Sequence, residues 1–172
     1  NGNRHFTEAM RVWLHKKLFI KKIIYKEVRK LSPKSILPKF DCYDHHLSHA
    51  SASFYPSPFD KAVILCMDGV GEWATTSAWI GNNETIKPLW EIKFPHSLGL
   101  LYSAFTSFCG FKVNSGEYKL MGLAPYGKPK YANLIKENLI DIKSDGTFRL
   151  NLDYFTFHHS FKMTNNKFSN LF

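Results

Sequence analysis

Apolar residues near the start of the chain recur every three, four or seven positions and therefore share one side of a helix. The stripe consists of Trp13, Ile20, Ile24, Val28 and Leu31. The pattern predicts an amphipathic helix over residues 8–31, with Thr7 as its N-cap and Ser32-Pro33 at its end. A helix lying in a membrane surface is the alternative for this segment.

Apolar runs bounded by turn residues predict a three-stranded antiparallel meander in the middle of the chain. The first run, KAVILCMD, ends in the carboxylate of Asp68, and GNNE at 81–84 is a tight-turn signal. Pro88 restricts the third strand to a sheet edge or requires a bulge in it. The three strands are expected at 61–68, 73–80 and 85–94.

Further helices and strands are expected on both sides of the meander, which makes the fold class α/β. A short strand at 37–43 leads into a helix at 45–54 that Asp44 caps. Ser97 caps a further helix, and Gly110 either ends this helix or lets it bend. A short helix at 130–140 and a last strand at 146–152 complete the set.

Positive charge is concentrated in the first helix. Residues 1–35 contain ten Lys or Arg and two Glu, so they carry +8 of the net charge of +9. Because no DNA-reading or RNA-reading motif accompanies this charge, we expect a solvated helix face beside an acidic part of the same protein, and not a nucleic-acid partner.

The composition also favours a cytoplasmic protein without a membrane span. No run reaches the roughly 18 apolar residues of a spanning helix. Cys42, Cys66 and Cys109 form no C-x-x-C pair and are expected to be reduced thiols. The first residue is Asn and not Met, and the start NGNRHFTEAM has no signal-peptide features. We expect the chain to be a fragment of a longer protein.

The stretch DHHLSHASASF predicts one wall of a metal site. His45 and His49 are four residues apart and share a helix face, whereas His46 is rotated by about 100° and points elsewhere. Asp68 closes a buried strand, and the glycines at 69 and 71 leave room for a ligand. Two His and one Asp suit iron(II) or zinc. The alternatives are histidines that only pack and an Asp68 that bonds its own turn.

Four stretches in this order resemble the O-carbamoyltransferases of antibiotic and nodulation-factor biosynthesis. They are DHHLSHASASFYPSPF, MDGVGEW, FPHSLGLLYSAFT and GFKVNSGEYKLMGLAPYGKP. The resemblance implies part of an actin-like domain, of the sugar kinase, Hsp70, actin and ribonuclease H-like type. It also implies metal ligands at His45, His49 and Asp68, with a further Asp outside this chain.

The resemblance further implies the reaction and its other components. ATP and carbamoyl phosphate are converted to carbamoyl-adenylate by a second, adenylate-forming domain. The carbamoyl group then passes to a hydroxyl of a small molecule such as a sugar or antibiotic. The second lobe and the adenylate-forming domain lie outside the chain, so the isolated fragment is expected to be inactive.

Two other groups are weaker candidates for substrate contacts. Gly116, Glu117 and Lys119 resemble a nucleotide-contacting stretch in related actin-like transferases, with Glu117 at ribose hydroxyls and Lys119 at a phosphate. The alternative is a structural loop in which Glu117 and Lys119 pair. His96 is either a general base on the substrate side or a hydrogen-bonding residue at a helix start.

The expected organisation has three parts: a basic helical segment at 1–36, a partial actin-like carbamoyltransferase domain at 37–157 and a truncated tail at 158–172. Two other functions remain open. One is a threonylcarbamoyl transferase acting on tRNA, whose basic helix binds RNA, although the GEYKLMGLAPYG stretch favours the carbamoyltransferase. The other is a non-catalytic binding module.

Overall fold

The computed structural model describes residues 2–34 and 36–172. Asn1 and Ser35, which belong to the predicted segment 1–36, lie outside the described residues. The chain divides into two compact units. The first unit contains the described residues up to Tyr43 and His159–Phe161; the second contains Asp44–His158 and Lys162–Phe172. The domain boundaries expected at 36/37 and 157/158 stay predictions.

The first unit contains two helices where the apolar stripe predicted one. Helix α1 spans Gly2–His15 and helix α2 spans Ile20–Leu31, with a 3-10 turn at Lys17–Phe19 between them. Thr7 therefore lies inside α1, and its predicted role as N-cap is wrong. The seven-residue step from Trp13 to Ile20 crosses the interruption, so the stripe did not reveal it.

The strand predicted at 37–43 is also absent, because these residues form no ladder with another strand. Residues of this stretch instead contact one side of α2. The hydroxyl of Tyr25 donates to the carbonyl oxygen of Pro38 over 2.9 Å. The ring of Tyr25 packs edge-on to Phe40, with 6.2 Å between the ring centroids.

The second unit is built on the predicted meander. Its strands are β1 (Lys61–Gly71), β2 (Ala74–Asn82) and β3 (Thr85–Lys93), paired antiparallel in the order β1-β2-β3. A two-residue turn joins β2 to β3, with Asn83 at φ +50°. Pro88 lies on the edge strand β3 beside a bulge, as predicted, because the register shifts between Ala78 and Trp79 of β2.

Helix α3 (His45–Phe54) packs on one face of this sheet. Its buried side contains Ala50 and Phe54, which form a small core with Ile64 and Cys66 of β1. Gly81 of β2 lies against the Phe54 ring, since a Cβ atom at Gly81 would be 2.5 Å from it. The contact fixes where α3 lies along the sheet.

A larger core lies around helix α4 and the C-terminal segments. Ser97 caps α4 (Leu98–Phe108) as predicted, because its hydroxyl accepts a hydrogen bond from the N–H of Leu100 over 3.0 Å. Gly110 follows the helix with φ +84°. Phe168 is fully buried in this core and packs against the rings of Phe105 and Phe155.

The remaining elements are short. The helix predicted at 130–140 spans Ala132–Asn138, and the strand predicted at 146–152 is limited to Phe148–Leu150. Its partner strand, Ile140–Ile142, was missed by the pattern, as was a helix within the Gly116 loop. These elements are α5 (Glu117–Leu123), α6 (Ala132–Asn138), β4 (Ile140–Ile142), β5 (Phe148–Leu150) and α7 (Asn166–Ser169).

Candidate metal centre

Helix α3 presents His45 and His49 on its outer face. Asp44 occupies the N-cap position, but its side chain makes no capping hydrogen bond. One turn of helix separates the two histidines, and their Nε2 atoms are 2.9 Å apart. Both side chains are about half exposed, at 43% for His45 and 57% for His49. The predicted shared face is confirmed.

Asp68 reaches this pair from strand β1. Its Oδ2 atom lies 2.7 Å from Nε2 of His45 and 3.7 Å from Nε2 of His49. The strand does not end at Asp68, as the sequence predicted, but continues to Gly71. The register with β2 shifts between Met67 and Gly71, so Asp68 lies in a bulge. Bulges redirect side chains locally, which accounts for a carboxylate within a paired strand.

Hydrogen bonds from Gly69 and Ser97 hold the bulge in place. The N–H of Gly69 donates to Oδ1 of Asp68 over 2.7 Å. The buried hydroxyl of Ser97 lies 2.7 Å from the carbonyl oxygen of Gly69 and 3.1 Å from that of Asp68, so it donates to this part of the backbone. Gly99 allows the close approach, because a Cβ atom there would be 2.7 Å from the Asp68 carbonyl oxygen. The start of α4 therefore positions Asp68.

Electrostatics keep the Asp68 carboxylate ionised. Burial raises the pKa of its carboxyl, but the hydrogen bonds from Gly69 and His45 and the charges of His45 and His49 lower the pKa further, to below its ordinary value. An ionised carboxylate beside two imidazoles is the form that binds a cation.

The three side chains have the spacing of ligands to one ion. Their ligand atoms all lie within 4.8 Å of one another. Metal bonds of about 2.0–2.2 Å place neighbouring ligand atoms about 2.8–3.6 Å apart in octahedral or tetrahedral geometry. The observed separations of 2.7, 2.9 and 3.7 Å bracket that range. His45, His49 and Asp68 could therefore hold a metal ion.

His46 turns away from this group, as its position on the helix predicted. It is 4% exposed, and its Nδ1 atom lies 2.6 Å from the hydroxyl of Ser77 on β2. Desolvation by burial lowers the pKa of the His46 imidazole. Sequence reasoning missed Ser77 and Trp79, because the register that brings them to α3 is not visible in a linear pattern.

Gly71 has a different role from the one predicted. A Cβ atom there would lie 2.5 Å from Cδ2 of His45 and 3.1 Å from Oδ2 of Asp68. The space at Gly71 is therefore taken up by the candidate ligands themselves. At Gly69 no atom lies within 4 Å of such a Cβ, so this position is open.

The other predicted site residues lie elsewhere in the second unit. His96 accepts a hydrogen bond at Nδ1 from the N–H of Leu150 over 3.1 Å, and burial lowers the pKa of its imidazole. Glu117 begins α5 and accepts from the hydroxyl of Ser103 over 2.8 Å and from the N–H of Asn114 over 3.0 Å. These hydrogen bonds hold the His96 ring against Leu150 and the Glu117 carboxylate against Ser103 and Asn114.

The Gly116 loop is close-packed at its glycine and open at its lysine. A Cβ atom at Gly116 would lie 2.6 Å from the carbonyl oxygen of Lys112, so the glycine is needed for packing. Lys119 is exposed, with its Nζ atom 5.9 Å from the centre of the Tyr118 ring. The substrate roles expected for Gly116, Glu117 and Lys119, and for His96, stay predictions.

Comparison with known proteins identifies the family. Residues 1–172 match the family described as Carbamoyltransferase N-terminus. The chain belongs to the carbamoyltransferase family. The resemblance seen in the four sequence stretches is thereby confirmed.

Relatives of this carbamoyltransferase chain are considerably longer than the chain itself. Protein sll1178 of Synechocystis sp. is 58% identical over 99% of the chain, which spans 28% of that protein. The nodulation protein NolNO of Sinorhizobium fredii is 38% identical over 63% of the chain, and the chain spans 16% of it. The nodulation protein NolO of Bradyrhizobium diazoefficiens is 32% identical over 64% of the chain, and the chain spans 20% of it.

Within the described residues, no helix combines the length and the apolar character needed to cross a lipid bilayer.

Proposed function

We propose that this chain is part of an actin-like domain of an O-carbamoyltransferase, with a metal held by His45, His49 and Asp68. The full-length protein transfers a carbamoyl group from carbamoyl-adenylate to a hydroxyl of a sugar, an antibiotic or a related natural product. The observation that supports this most directly is a ligand-spaced His, His, Asp group in a chain of the carbamoyltransferase family. The similarity to two nodulation proteins favours a natural-product acceptor.

The proposed reaction balances without a redox step. The acceptor hydroxyl oxygen forms a bond to the carbamoyl carbon and releases its proton to solvent. The bond between that carbon and the adenylate phosphate oxygen breaks, and its electron pair leaves with AMP. A divalent metal bound by the three residues supplies Lewis-acid polarisation and neutralises phosphate charge.

The chain's own residues have distinct tasks in this scheme. His45 and His49 offer neutral imidazole nitrogens, and Asp68 offers one carboxylate oxygen while Gly69 occupies the other. Two histidines and one carboxylate suit iron(II), which binds such triads with open positions, and they also suit catalytic zinc. We favour iron(II), with zinc as the alternative.

Components outside the chain complete the proposal. ATP and carbamoyl phosphate serve as substrates for an adenylate-forming domain of the same protein. A second lobe provides a further Asp ligand, and we propose a cytoplasmic location. Gly116, Glu117 and Lys119 remain candidates for nucleotide contact, and His96 for a base.

Metal analysis of the full-length protein tests the proposed site. We expect His45→Ala, His49→Ala and Asp68→Asn each to deplete bound metal and to abolish transfer of radiolabelled carbamoyl groups. Ser48→Ala is the matched control, since Ser48 is exposed on the same helix and its hydroxyl contacts only the Asp44 carbonyl oxygen among the described residues. Unchanged metal content in the ligand variants would favour the non-catalytic module.

A second experiment separates the proposal from tRNA threonylcarbamoylation. The four-fold variant with Gln at Lys16, Lys17, Lys21 and Lys22 removes half of the net charge of the first helical segment. We expect carbamoyl transfer to a small acceptor to change less than about threefold, because a small acceptor needs no basic helix. Salt-dependent tRNA binding in the wild type that disappears in this variant would support the tRNA enzyme.

A further inference from the structure

His96 carries a ring proton whose position the structure fixes. Its Nδ1 atom accepts a hydrogen bond from the backbone N–H of Leu150 over 3.1 Å. Because a backbone N–H can only donate, Nδ1 is unprotonated and the proton of the neutral ring resides on Nε2. Burial, and after it the charge of Arg149, lowers the pKa of the His96 imidazole, so the ring is neutral at about pH 7. His96 therefore presents an N–H donor at Nε2, which is a different role from that of a general base.

The Nε2 atom of His96 is accessible to a ligand. It forms no hydrogen bond with any residue that the structure describes. In the described part of the chain, the side-chain polar atoms that are both fully buried and unpaired are Nε2 of His46 and the hydroxyl oxygen of Thr76. Nε2 of His96 is not one of them, so this unpaired atom is in contact with solvent. A ligand with an acceptor atom can therefore reach the N–H.

A cavity of about 450 Å³ lies beside His96. It is lined by the end of strand β3, the residues that follow it and the hairpin of β4 and β5. Its apolar walls include the rings of Phe94 and Phe148, and its charged groups are three cations and one carboxylate, namely Lys93, Lys143, Arg149 and Glu91. A volume of this size accommodates a small organic molecule.

Arg149 is the cation of this cavity that has no ionic partner among the described residues. Lys93 is paired with Glu91 over 2.8 Å, and Lys143 is paired with Asp141 over 2.6 Å. Asp141 is also the cross-strand neighbour of Arg149, but its carboxylate is bonded to Lys143. The guanidinium is therefore available to an anion, and its planar fork of N–H donors suits the oxygens of a phosphate.

We propose that this cavity binds a small molecule through its phosphate group, with the Arg149 guanidinium as the countercharge and the Nε2–H of His96 as a second donor. The excess of cations over carboxylates favours a doubly charged phosphate over a carboxylate. The rings of Phe94 and Phe148 provide an apolar wall for the rest of the molecule. The lining residues include none of the candidate metal ligands, so the site is separate from the candidate metal centre and does not depend on the proposed function.

Isothermal titration of the full-length protein with phenyl phosphate tests the site. We expect Arg149→Gln to weaken binding at least about tenfold, because hydrogen bonds between charged groups are lost. Arg149→Lys keeps the charge without the planar fork and should recover part of this loss. Arg29→Gln is the matched control, since it removes the same charge from an exposed position of α2 outside the cavity, and its affinity should match the wild type. Phosphate sites elsewhere in the protein are the same in every variant.

The donor and the charge of the ligand are tested separately. His96→Phe keeps an aromatic ring but removes the N–H, and we expect it to bind phenyl phosphate about fivefold more weakly than the wild type does. Benzoate carries a singly charged carboxylate in place of the phosphate. We expect it to bind the wild type at least about tenfold more weakly than phenyl phosphate does.

Four results would overturn the inference. They are absence of phenyl phosphate binding in the wild type, equal affinities of Arg149→Gln and Arg29→Gln, equal affinities for benzoate and phenyl phosphate, and unchanged binding in His96→Phe. The last result counts because the proposed site includes the His96 donor. If His96→Phe does not fold, the comparison of Arg149→Gln with Arg29→Gln decides, since both of these positions are exposed.

Discussion

Gly71 gives His45 and Asp68 the space in which they meet. The imidazole and the carboxylate approach each other across this position, and a Cβ atom would be only 2.5 Å and 3.1 Å from their nearest atoms. His45 is on a packed helix and Asp68 is held by Gly69, so a Cβ atom at this position would force one of the two side chains out of its place. The glycine is therefore a positioning residue for the candidate metal centre.

Substitution of Gly71 should weaken metal binding without removing any ligand. We expect Gly71→Ala to reduce metal affinity by about 10–100-fold, the range typical of losing the support of a metal ligand. Titration of the metal-free full-length protein with iron(II) or zinc measures the change. Gly69→Ala is the matched control, because a methyl group there meets no atom within 4 Å. Equal affinities of the two variants would contradict this role.

Some features of the candidate metal centre could be predicted from the sequence residue by residue, and others could not. The four-residue step between His45 and His49 predicted their shared face, and the apolar run before Asp68 indicated a carboxylate that needs a partner. The constraint at Gly71 and the chain from Trp79 through Ser77 to His46 could not be predicted, because both depend on which residues the strand register places opposite α3.

Helix α4 supports the candidate metal centre through its first residues. The hydroxyl of Ser97 accepts from the N–H of Leu100 and donates into the Asp68–Gly69 backbone, so one fully buried group joins the helix start to the bulge. Its loss leaves a helix N–H and a bulge carbonyl without this partner.

Ser97→Ala should therefore affect both stability and metal binding. We expect the free energy of unfolding to fall by about 1–3 kcal/mol, from the lost cap and the unsatisfied buried groups. Metal affinity should fall as well, because Asp68 is less firmly held. Thermal unfolding and metal titration of the full-length protein measure the two effects. Ser53→Ala, at an exposed position of α3, should change neither.

The loop before α5 is predicted to loosen in acid. Hydrogen bonds from the N–H of Asn114 and the hydroxyl of Ser103 hold the pKa of the Glu117 carboxyl below its usual value of 4.5. Because the folded pKa is lowered, this stabilisation is present above pH 4.5 and is lost as the pH falls through the folded pKa.

Hydrogen exchange of residues 114–120 in the full-length protein, corrected for intrinsic rates, measures the loosening. We expect protection to fall below pH 4.5 in the wild type and to be low at every pH in Glu117→Gln. Glu84→Gln, in the turn between β2 and β3, should match the wild type. Identical pH dependence in wild type and Glu117→Gln would refute the prediction.

Elements with strong local signals were predictable, and those defined by distant partners were not. The meander, its GNNE turn and the Ser97 cap each follow from a few adjacent residues. The strand expected at 37–43 failed because no neighbouring strand pairs with it, and its residues contact Tyr25 instead. Strand β4 is three residues long and exists through its pairing with Phe148–Leu150, which periodicity cannot show.

At the scale of the whole molecule, aromatic rings join the C-terminal residues to α4. Phe168 packs against Phe105, Phe108, Phe155 and Phe172, with ring centroids 5.1–5.7 Å apart. Its side chain is fully buried although it lies in the segment expected to be a tail. The last residues thus belong to the core of the second unit.

Removing this ring should destabilise the protein strongly. We expect Phe168→Ala to lower the free energy of unfolding by about 3–5 kcal/mol, the usual effect of emptying a large buried site. Thermal unfolding of the full-length protein measures the loss. Phe59→Ala is the control, since that ring is 62% exposed, and its effect should stay below about 1 kcal/mol. A similar loss in the free energy of unfolding in both variants would show that burial of the Phe168 ring contributes no more to stability than an exposed ring does.

The contact between Phe54 and Gly81 has a thermodynamic consequence at a distance. Helix α3 packs its last residue, Phe54, against the sheet and also carries both imidazoles of the candidate metal centre. Cation binding and this packing are therefore linked. A saturating cation would raise the melting temperature of the protein. In return, a methyl group at Gly81 would collide with the Phe54 ring, disturb the packing of the helix and thereby weaken cation binding.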